Sequence, residues 1–402
     1  MRLSRPAFPR PEGTGFGVFC LQEAPNVWTA EDVAFMDEAL RLARLGLGFT
    51  SPNPAVGAVC VRDGQIVGSG YHAKAGDPHA EVVALEEAGE AARGATLYVT
   101  LEPCSHYGRT PPCADLCIQA GLSRVVIAMI DPNPLVSGAG VERLRTAGIQ
   151  VEVGLRQEEA AKLNEAFIVY MKEKRPFVHF KTAMSADGKV ACRTGKSQWI
   201  TSEASRREVH RLRSRHDAIM VGIGTVLADD PRLTVRLADA ADVSAPDMQP
   251  TRIIVDSRAA IPLRARCLEG AGDSADVIVA VSEAAPPRKI QALRDHGVRV
   301  WVGTGPDGRV DLVRLLHDLA DLQITSIFLE GGPTLAGSFF DHGLVDRVTV
   351  FMAPLVLGGA FAPSPIAGQG VDEPHLGYRL TDVSHKFFGE DFMWTGTVQR
   401  RV

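Results

Sequence analysis

The sequence has no long hydrophobic run, no excess of basic residues and no regular series of paired cysteines. Its most apolar later stretch, residues 348–362, is interrupted by Pro354, Gly358 and Gly359 and is too short to cross a bilayer. The first twenty residues carry three arginines and three prolines without the apolar core of an export signal. These absences argue against a membrane protein and a secreted one, and we expect a cytoplasmic location.

The charge balance does not fit a protein that binds nucleic acid. The 402 residues hold 43 lysines and arginines against 48 aspartates and glutamates, a formal net charge of −5. A nucleic-acid binder normally shows a basic excess, and no basic segment interleaved with aromatic residues is present to follow a strand. We therefore expect a small-molecule partner, with neither a nucleic acid nor a membrane as ligand.

Seven cysteines, an odd number at irregular spacing, fit reduced thiols better than a disulfide framework. Disulfides are rare in the reducing cytoplasm. Two cysteines that lie close together in this chain are therefore expected to bind a metal or take part in catalysis. Ordinary small apolar residues are the simplest interpretation of Cys20, Cys60, Cys192 and Cys267.

The chain length and its pattern indicate two domains after an extension. At about 150 residues per domain, 402 residues suggest two or three. Residues 1–27 are rich in proline and glycine and lack periodicity, so we expect a disordered extension. A first alternation of helices and strands fills residues 28–174, and the Arg175–Pro176 break begins a second alternation over residues 175–402. Alternation of this kind predicts α/β folds.

Periodicity also predicts individual elements. Thr29 suits an N-cap before an apolar stripe at helical spacing. An Asp63–Gly64 turn between two apolar stretches predicts a β-hairpin, and residues 158–174 read as one charged helix that closes the first domain. In the second domain, strands are predicted at residues 177–184, 218–221, 253–255, 277–280, 298–302 and 326–329, followed by an apolar stretch over 348–357.

The strongest chemical signal lies in the first domain. His79 and Glu81 open a predicted helix, Cys104 follows a predicted strand, and Cys113 lies nine positions further on. One imidazole and two thiolates suit zinc, and three protein ligands leave a fourth position for water, as in catalytic sites. Zinc acidifies such a water. Glu81 is then placed to take a proton from this water and pass it to a leaving amine.

This order of residues matches the H-x-E…P-C…C signature of zinc-dependent nucleobase deaminases. Eight residues separate the two cysteines instead of the usual two, which argues against an ordinary cytidine or tRNA-adenosine deaminase. Two other interpretations stay open from the residues alone. The thiols could be unrelated buried residues, or the site could be a closed structural zinc centre with Cys117 or His106 as a fourth ligand.

Further motifs accompany this signature along the chain. They lie at residues 51–57, 79–81, 103–113, 131–134, 197–201, 227–231, 233–236 and 330–335, and they include S-P-N-P-A-V-G and P-C-S-H-Y-G-R-T-P-P-C. Together they closely resemble the bacterial bifunctional riboflavin-biosynthesis deaminase/reductase family. The match runs over residues 30–395, and the motifs are specific together although each is weak alone.

The resemblance implies a cytidine-deaminase-like α/β/α domain followed by a dihydrofolate-reductase-like α/β domain. The first would hold one zinc ion and deaminate 2,5-diamino-6-ribosylamino-4(3H)-pyrimidinone 5′-phosphate with release of ammonia. The second would use NADPH to reduce 5-amino-6-(5-phosphoribosylamino)uracil to the ribityl compound. The expected partner is thus a small phosphorylated pyrimidine, and we expect a homo-oligomer.

In the first domain, the resemblance implies that His79, Cys104 and Cys113 bind zinc and that Glu81 moves the proton. The residues implied to line the same pocket are Asn53, His72, Asp131 and Asn133. Asn53 also has a simpler interpretation, because a Pro-Asn-Pro sequence is good turn chemistry.

In the second domain, the resemblance implies two sets of contacts. The implied NADPH contacts are Ala183, Trp199, Thr225, Asp229, Ser257, Gly332, Pro333, Thr334, Leu335, Ala336, Gly337 and Ser338. The implied substrate contacts are Lys181, Ser197, Arg213, Leu233, Arg236 and Glu330.

The charged members of the second set have physical interpretations of their own. The guanidinium forks of Arg213 and Arg236 suit a ribose phosphate. Solvent is expected to surround the neighbouring Arg206, Arg207 and Arg215. Lys181 either polarises the sugar or the base, or extends to solvent from an apolar strand.

Two glycine-rich turns are candidate phosphate sites. The G-x-G at residues 222–224 lacks the third glycine and the acidic residue of a Rossmann fingerprint. At residues 330–334, glycines end a predicted strand and Pro333 suits the first turn of a helix whose amides can hold a phosphate, although a plain turn stays open. No arginine near this turn is an obvious partner for a ribose phosphate, so the preference for NADPH over NADH rests on the resemblance.

Two other functions stay open at this level. A deaminase of another nucleotide, with a regulatory second domain, would not consume NADPH when given a deaminated substrate. A nucleotide-binding structural protein with a closed zinc site would be indifferent to Glu81→Gln.

Overall fold

A computed structural model describes residues 28–105, 112–134, 136–237 and 249–399. The predicted disordered extension, residues 1–27, lies outside these ranges, as does His106, one of the alternative zinc ligands. No helix among the residues within them is both long enough and apolar enough to span a membrane.

The N-terminal part of the chain forms a five-stranded sheet with the order β2-β1-β3-β4-β5. Its strands are β1 Gly57–Arg62, β2 Gln65–Tyr71, β3 Thr96–Val99, β4 Arg124–Ile127 and β5 Gln150–Val153. The first two strands form the antiparallel hairpin that the Asp63–Gly64 turn predicts. Both turn residues have positive φ angles, 50° and 76°, as a type I′ turn requires. Strands β3, β4 and β5 are parallel.

Among the described residues, six helices share a hydrophobic core with this sheet. They are α1 Ala30–Ala43, α2 Ala80–Ala88, α3 Cys113–Gln119, α4 Ala139–Thr146, α5 Gln157–Leu163 and α6 Glu165–Glu173. The N-cap prediction for Thr29 is confirmed: its side chain accepts the N–H of Asp32, and the Asp32 carboxylate accepts the N–H of Thr29. This reciprocal capping box fixes the start of α1.

The prediction of one continuous helix over residues 158–174 is wrong, because the chain breaks at Asn164 between α5 and α6. The side chain of this buried residue accepts the N–H of Ala55 at 2.9 Å and donates to the Ala55 carbonyl at 3.0 Å. Asn164 thereby pairs with the backbone that precedes β1. The pattern of charged residues along the sequence does not distinguish such a break from a continuous helix.

The C-terminal part of the chain forms a nine-stranded sheet with the order β10-β9-β8-β7-β11-β6-β12-β14-β13. Its strands are β6 Phe177–Ser185, β7 Ala218–Gly222, β8 Thr251–Val255, β9 Val277–Val281, β10 Arg299–Val302, β11 Ser326–Leu329, β12 Arg347–Ala353, β13 Arg379–Phe388 and β14 Asp391–Gln399. The seven strands from β10 to β12 run parallel, whereas β14 and β13 are antiparallel additions.

The sequence pattern did not predict the hairpin of β13 and β14. Most side chains of β13 are exposed, and the strand forms one edge of the sheet. Without a buried face, an edge strand lacks the alternation of apolar and polar residues on which prediction depends.

In the part of the chain that the structure describes, five helices accompany the second sheet: α7 Glu203–Arg213, α8 Ile223–Asp229, α9 Pro287–Asp295, α10 Leu312–Asp321 and α11 Pro333–Asp341. Because the parallel strands all point the same way, their carboxyl ends open onto one edge of the sheet. Ligands of open α/β sheets bind at that edge.

Side-chain hydrogen bonds join the two parts of the chain. The Ser51 hydroxyl donates to the Asp217 carboxylate at 2.9 Å, and the same carboxylate accepts the backbone N–H and the hydroxyl of Thr325, both at 2.7 Å. Asp217 directly precedes β7 and Thr325 directly precedes β11. The loop that carries Ser51 and Asn53 is therefore bonded to the amino ends of two strands of the second sheet.

Candidate active sites

Three metal-ligating side chains meet where α2 and α3 begin. His79 immediately precedes α2, Cys113 is the first residue of α3, and Cys104 lies in the loop that follows β3. Their donor atoms all lie within 4.8 Å of one another. The Nδ1 atom of His79 is 3.2 Å from Sγ of Cys113 and 3.8 Å from Sγ of Cys104.

These separations fit a tetrahedral zinc ion. Zinc bonds of about 2.0 Å to nitrogen and about 2.3 Å to sulfur set the two ligand atoms about 3.5 Å apart, between the two distances observed. Within the described ranges, no fourth His, Cys, Asp or Glu donor joins the three. Cys117, the other alternative ligand, is fully buried on α3 and is not part of the group. Three ligands are the set typical of a catalytic zinc.

Glu81 lies on the first turn of α2, beside this cluster, and is only 3% exposed. Burial raises the pKa of its carboxyl to about 7, although the neighbouring His79 acts in the opposite direction. Hydrogen bonding to Cys113, and more weakly to His79, lowers the pKa of Cys104 despite its burial. The cluster thus combines a stabilised thiolate with a buried carboxyl that is suited to accepting and returning a proton.

Asn53 and His72, both predicted pocket residues, contact each other next to His79. The Nδ2 atom of Asn53 is 3.3 Å from Nε2 of His72, and Nδ1 of His72 is 3.1 Å from the carbonyl oxygen of Pro78. These partners select a neutral ring with its proton on Nδ1, and burial lowers the pKa of His72. The rings of His72 and His79 meet edge to face, 5.5 Å apart. Asn53 also closes a turn, because its N–H donates to Thr50.

The buried carboxylate of Glu102 organises the loop that carries Asp131 and Asn133. It accepts four backbone N–H groups at 2.8 to 3.2 Å, from Asp131, Gly138, Gly140 and Val141. Asp131 in turn accepts the N–H of Asn133 at 2.8 Å. Glu102 precedes Cys104 by two residues, so this loop is fixed relative to the cysteine. Glu102 was not among the predicted site residues; its place in the Glu-Pro-Cys sequence was the available signal.

A cleft with a volume of about 1890 Å³, here named the long cleft, follows the carboxyl ends of β6, β11, β7, β8 and β9. Pockets for one drug-sized ligand measure about 300 to 1,000 Å³, so this volume suits a dinucleotide together with a second ligand. The predicted contacts that line it are Lys181, Ala183, Ser197, Trp199, Arg213, Thr225, Asp229, Leu233, Arg236, Ser257, Glu330, Gly332, Pro333, Thr334, Leu335 and Ser338.

Ala336 and Gly337, predicted as NADPH contacts, do not line the long cleft. Ala336 is fully buried in the hydrophobic core. A Cβ on Gly337 would lie 2.4 Å from the backbone of Ala367, so the glycine permits a close approach of two chain segments. Only one face of α11 is turned towards the cleft. Because consecutive residues of a helix point in different directions, the unbroken run predicted over residues 332–338 cannot all contact one ligand.

Three charged residues meet on one wall of the long cleft. The Glu330 carboxylate pairs with both Nε and Nη2 of Arg213, and its Oε2 is 3.4 Å from the Lys181 ammonium. Burial alone would raise the pKa of Glu330, but Arg213 and Lys181 outweigh burial and lower it to about 2. Lys181 therefore does not extend to solvent, and this excludes the second of the two interpretations given for it above.

The segment after α8 forms the neighbouring wall. Leu233 is buried with a φ of 54°, a left-handed conformation that costs energy in a non-glycine residue. The turn directs the carbonyl of Thr234 to Nη1 of Arg213 at 3.0 Å, while the Thr234 hydroxyl accepts from Arg236 at 2.7 Å. The backbone N–H of Arg236 is bonded to His210 of α7 at 3.2 Å. His210 lines the long cleft, although it was not among the predicted site residues.

The expectation that Arg206 faces solvent is wrong. Its guanidinium stacks on the Trp199 ring at 4.4 Å and donates to the Thr201 carbonyl at 2.7 Å, and the residue lines the long cleft. Arg206 lies one helical turn before the cleft residue His210, on the same face of α7, and this explains why it also reaches the cleft. Arg207 and Arg215 are exposed, as expected.

Two pairs of predicted residues from different segments touch within the long cleft. The Ser197 hydroxyl donates to Asp229 at 2.9 Å. Gly332, at the start of α11, faces Thr225: a Cβ on this glycine would lie 3.3 Å from the threonine hydroxyl. The first turn of α11 thus has exposed backbone close to a hydroxyl, which suits a phosphate.

The far end of the long cleft contains arginines that the sequence did not indicate. The backbone N–H of Val310 donates to the Ser257 hydroxyl at 3.2 Å, which brings residues 309 and 310 beside residues 257 and 258. Arg258 and Arg309 both line the cleft there. They come from segments about 50 residues apart, so only the fold brings them near the predicted NADPH contacts.

Two family models match the chain. The RibD C-terminal domain matches residues 176–394, and the cytidine and deoxycytidylate deaminase zinc-binding region matches residues 29–129. Riboflavin biosynthesis protein RibD from Aquifex aeolicus (strain VF5) is 46% identical over 342 residues, which cover 85% of this chain and 92% of that protein. The protein of the same name from Escherichia coli (strain K12) is 46% identical over 82% of this chain and 89% of its own.

Solved structures match over the same extent. Acinetobacter baumannii RibD, form 1, superposes with a TM-score of 0.80 at 41% identity, covering 92% of this chain and 99% of that one. A Thermotoga maritima protein described as a diaminohydroxyphosphoribosylaminopyrimidine deaminase/5-amino-6-(5-phosphoribosylamino)uracil reductase has a TM-score of 0.78 at 37% identity, with the same coverage.

Proposed function

The chain belongs to the RibD family, and on that basis we propose that each of its two sites carries one of two consecutive reactions on a phosphorylated pyrimidine. It is a bifunctional riboflavin-biosynthesis enzyme, a zinc-dependent deaminase joined to an NADPH-dependent reductase. The deaminase hydrolyses 2,5-diamino-6-ribosylamino-4(3H)-pyrimidinone 5′-phosphate, and the reductase converts 5-amino-6-(5-phosphoribosylamino)uracil to the ribityl compound. We assign the deaminase to residues 28–174 and the reductase to residues 175–402.

We assign His79, Cys104 and Cys113 as the zinc ligands of the deaminase. Their mutual distances and the stabilised thiolate of Cys104 support this assignment. Zinc held by these residues would supply an acidified water as the nucleophile. Glu81 would pass the first proton of that water to the ring nitrogen, and after the attack it would pass the proton of the new hydroxyl group to the departing amine. A carbon–oxygen bond replaces the carbon–nitrogen bond, and ammonia leaves.

The remaining predicted residues of this site orient the pyrimidine. Asn53 and His72 form a contact pair beside His79, with His72 held neutral by burial. We assign the side chains of Asp131 and Asn133 to the opposite side of the base, on the loop that Glu102 holds through four hydrogen bonds. A neutral imidazole and a carboxamide donate and accept hydrogen bonds without attracting a competing ion.

We assign the reductase to the long cleft. NADPH supplies the reducing equivalent when bound, and the chain must hold the substrate sugar close to it with water excluded. Lys181 is oriented by Glu330 to polarise the sugar or the base, and Arg213 is oriented by the same carboxylate. Among the described residues, the side chain of Arg236 is hydrogen-bonded only to the Thr234 hydroxyl. Arg236 is therefore better placed than Arg213 to bind a phosphate.

Strand order supports a direction for the cofactor in this cleft. The first turn of α11 follows β11, and Ser257 and Arg258 follow β8, two strands away. At about 4.8 Å per strand the separation is about 10 Å. This distance suits the span from the pyrophosphate of a dinucleotide to the ribose phosphate of its adenosine. We assign Arg258 and Arg309 to that ribose phosphate, which is the group that distinguishes NADPH from NADH.

We propose that two copies of the chain associate through the edge formed by β13. Among the described residues no strand pairs with the outer edge of β13, and Val383 and Phe387 on it are 57% and 64% exposed. An exposed, apolar edge strand is a template for pairing with a second chain. Light scattering on the native protein and on Phe387→Lys tests this: a dimer that dissociates in the variant supports it, and a native monomer contradicts it.

The cytoplasm is the location we propose, because the zinc ligands Cys104 and Cys113 must stay reduced to bind the metal. All six cysteines among the described residues are free thiols, although His79, Cys104 and Cys113 lie close together. Cytoplasmic reductants maintain that state.

The juxtaposition of His79, Cys104 and Cys113 with the buried Glu81 is the observation that most strongly carries the proposed function. The test follows ammonia release and NADPH oxidation together, in zinc-loaded protein given the diaminopyrimidinone ribosyl phosphate with and without NADPH. Ammonia in both samples, with NADPH consumed after a lag, supports two consecutive reactions. Ammonia without NADPH oxidation would contradict the reductase assignment, and no ammonia would contradict the substrate.

A further inference from the structure

His210 is a cleft residue to which none of the assignments above gives a role. It lies on α7 between Arg206 and Arg213, at spacings of four and three residues. Residues at these spacings share one face of a helix, and all three line the long cleft. The helix therefore presents His210 to the cleft between two arginines that already have partners. Arg206 stacks on Trp199, and Arg213 is paired with Glu330.

One ring nitrogen of His210 has a partner that defines the position of its proton. Nδ1 is 3.2 Å from the backbone nitrogen of Arg236, which can only donate. Nδ1 is therefore the acceptor, and a neutral imidazole in this arrangement carries its hydrogen on Nε2. Nε2 has no hydrogen-bond partner among the residues the structure describes. A polar donor at a cleft wall, without a protein acceptor, is available to a ligand.

The charges around His210 indicate what kind of ligand it meets. The cations Arg213, Arg236 and Lys181 all act on the ring, and the Glu330 carboxylate acts on it in the opposite direction. Burial first, and then Arg213 and Arg236, lower the pKa of His210 to about 4, so the ring is neutral at physiological pH. Burial and the neighbouring Arg213, Arg232 and Arg266 also lower the pKa of Arg236. Three cations against the one carboxylate named here, beside the neutral donor of His210, favour an anionic ligand.

The guanidinium of Arg213 is largely committed within the protein. Nε and Nη2 bind Glu330, and Nη1 binds the Thr234 carbonyl. An anion in this part of the cleft therefore takes its direct contacts from groups whose hydrogens are not bonded to carboxylates. On this wall, the side chain of Arg236 and Nε2–H of His210 are two such groups.

We propose that His210 binds the phosphate of the reductase substrate through Nε2–H, while its Nδ1 holds the backbone of Arg236, the charged partner of the same phosphate. This inference rests on the proposed reductase function. The histidine adds a direct hydrogen bond without adding a charge, in a wall where further positive charge would be repelled by Arg213 and Arg236.

A matched pair of variants separates the two hydrogen bonds of His210. Glutamine and glutamate have the same shape, and both can accept the Arg236 N–H through a side-chain oxygen, but only glutamine can also donate. The full-length His210→Gln and His210→Glu proteins are given the phosphorylated uracil substrate and its dephosphorylated form. KM and kcat of the reductase are measured for each, together with inhibition by inorganic phosphate.

We expect the KM of His210→Gln for the phosphorylated substrate to stay within about threefold of the native value. His210→Glu should raise that KM by about 50-fold or more, because it places a negative charge against the phosphate. It should weaken phosphate inhibition in parallel and leave kcat/KM for the dephosphorylated form nearly unchanged. Equal effects of the two variants, or equal effects on both substrate forms, would overturn the proposal and leave His210 a structural residue.

Two controls distinguish failure of this inference from failure of the proposed function. If the native protein does not oxidise NADPH with the phosphorylated substrate, the reductase assignment itself is wrong. The NADPH dissociation constant, measured by fluorescence in the absence of substrate, reports whether the remainder of the long cleft is intact in each variant. Deaminase activity of the same preparations reports the integrity of the first domain.

Discussion

Glu330 and Arg213 form a two-point ion pair on the wall of the long cleft, with the Oε2 of Glu330 2.9 Å from Nη2 of Arg213. Both side chains are nearly buried, with 8% and 13% of their surface exposed. A planar guanidinium held at two points cannot rotate freely. The reductase wall is therefore ordered before substrate binds, and its stability depends on the ionisation of a single carboxyl group.

We predict that Glu330→Gln destabilises the second domain at pH 7 by about 3 kcal/mol, because it leaves buried cations without their counter-charge. The folded pKa of Glu330, about 2, lies below its ordinary 4.5. Its contribution is therefore complete above pH 4.5 and is lost as the pH falls towards 2. The difference between the urea midpoints of the native protein and the variant should narrow from pH 7 to pH 3.5.

Tryptophan fluorescence is a suitable probe of this unfolding, since Trp199, Trp301 and Trp394 all belong to the second part of the chain. Glu283→Gln, a substitution of an exposed carboxylate outside the long cleft, is the control and should change no midpoint. A Glu330→Gln midpoint shift that is constant with pH would contradict an ionised Glu330 in the folded state.

Glu81→Gln should lower the deaminase kcat by about 1,000-fold, because the amide cannot take the proton from water and return it to the leaving amine. One zinc ion per chain should remain, and the reductase should act normally on deaminated substrate. Ammonia release and elemental analysis measure these properties. Glu86→Gln, an exposed change on the same helix, is the matched control. A fully active Glu81→Gln enzyme would remove the residue from the mechanism.

A pair of cysteine substitutions tests the metal site. Cys113→Ser should lose both zinc and deaminase activity, because a hydroxyl is a far poorer ligand than a thiolate. Cys117→Ala should retain one zinc per chain, since Cys117 is not among the clustered donors. Loss of zinc in the second variant would instead favour the closed structural centre. Reductase activity should persist in both.

Arg258→Ala and Arg309→Ala should each raise the dissociation constant for NADPH by about tenfold or more, the effect of losing a charge-assisted hydrogen bond. NADH binding should be unchanged, because NADH lacks the ribose phosphate. Fluorescence titration with both dinucleotides gives the ratio directly, and Arg288→Ala, an exposed change outside the cleft, is the control. A parallel loss of NADPH and NADH affinity would show that the arginines contact another part of the cofactor.

The sequence predicted those features that depend on local pattern. The Asp63–Gly64 hairpin, the Thr29 cap and the short buried strands of both sheets have signals within a few residues. The zinc donors also stood out, because His79, Cys104 and Cys113 have chemically distinctive side chains in a known order. In each case the residue type carries the information.

The remaining features depend on contacts between distant segments. The break at Asn164 exists because its side chain pairs with Ala55, 109 residues earlier. The roles proposed for His210 and Arg258 depend on the segments that pack beside them, at Arg236 and Val310. Arg206 was expected to face solvent because a basic helix face usually does, and its contact with Trp199 could be found only in three dimensions.

The hydrogen bond between Ser51 and Asp217 has a consequence for how the deaminated intermediate passes from the first reaction to the second. It joins the deaminase to the amino ends of β7 and β11, whereas the long cleft opens at their carboxyl ends. Five residues from Thr325 to Glu330, at about 3.3 Å each, separate the two levels by about 17 Å. Within one chain, an intermediate released beside this loop would pass around the sheet to reach the long cleft, so its capture there competes with dilution into the surrounding solution.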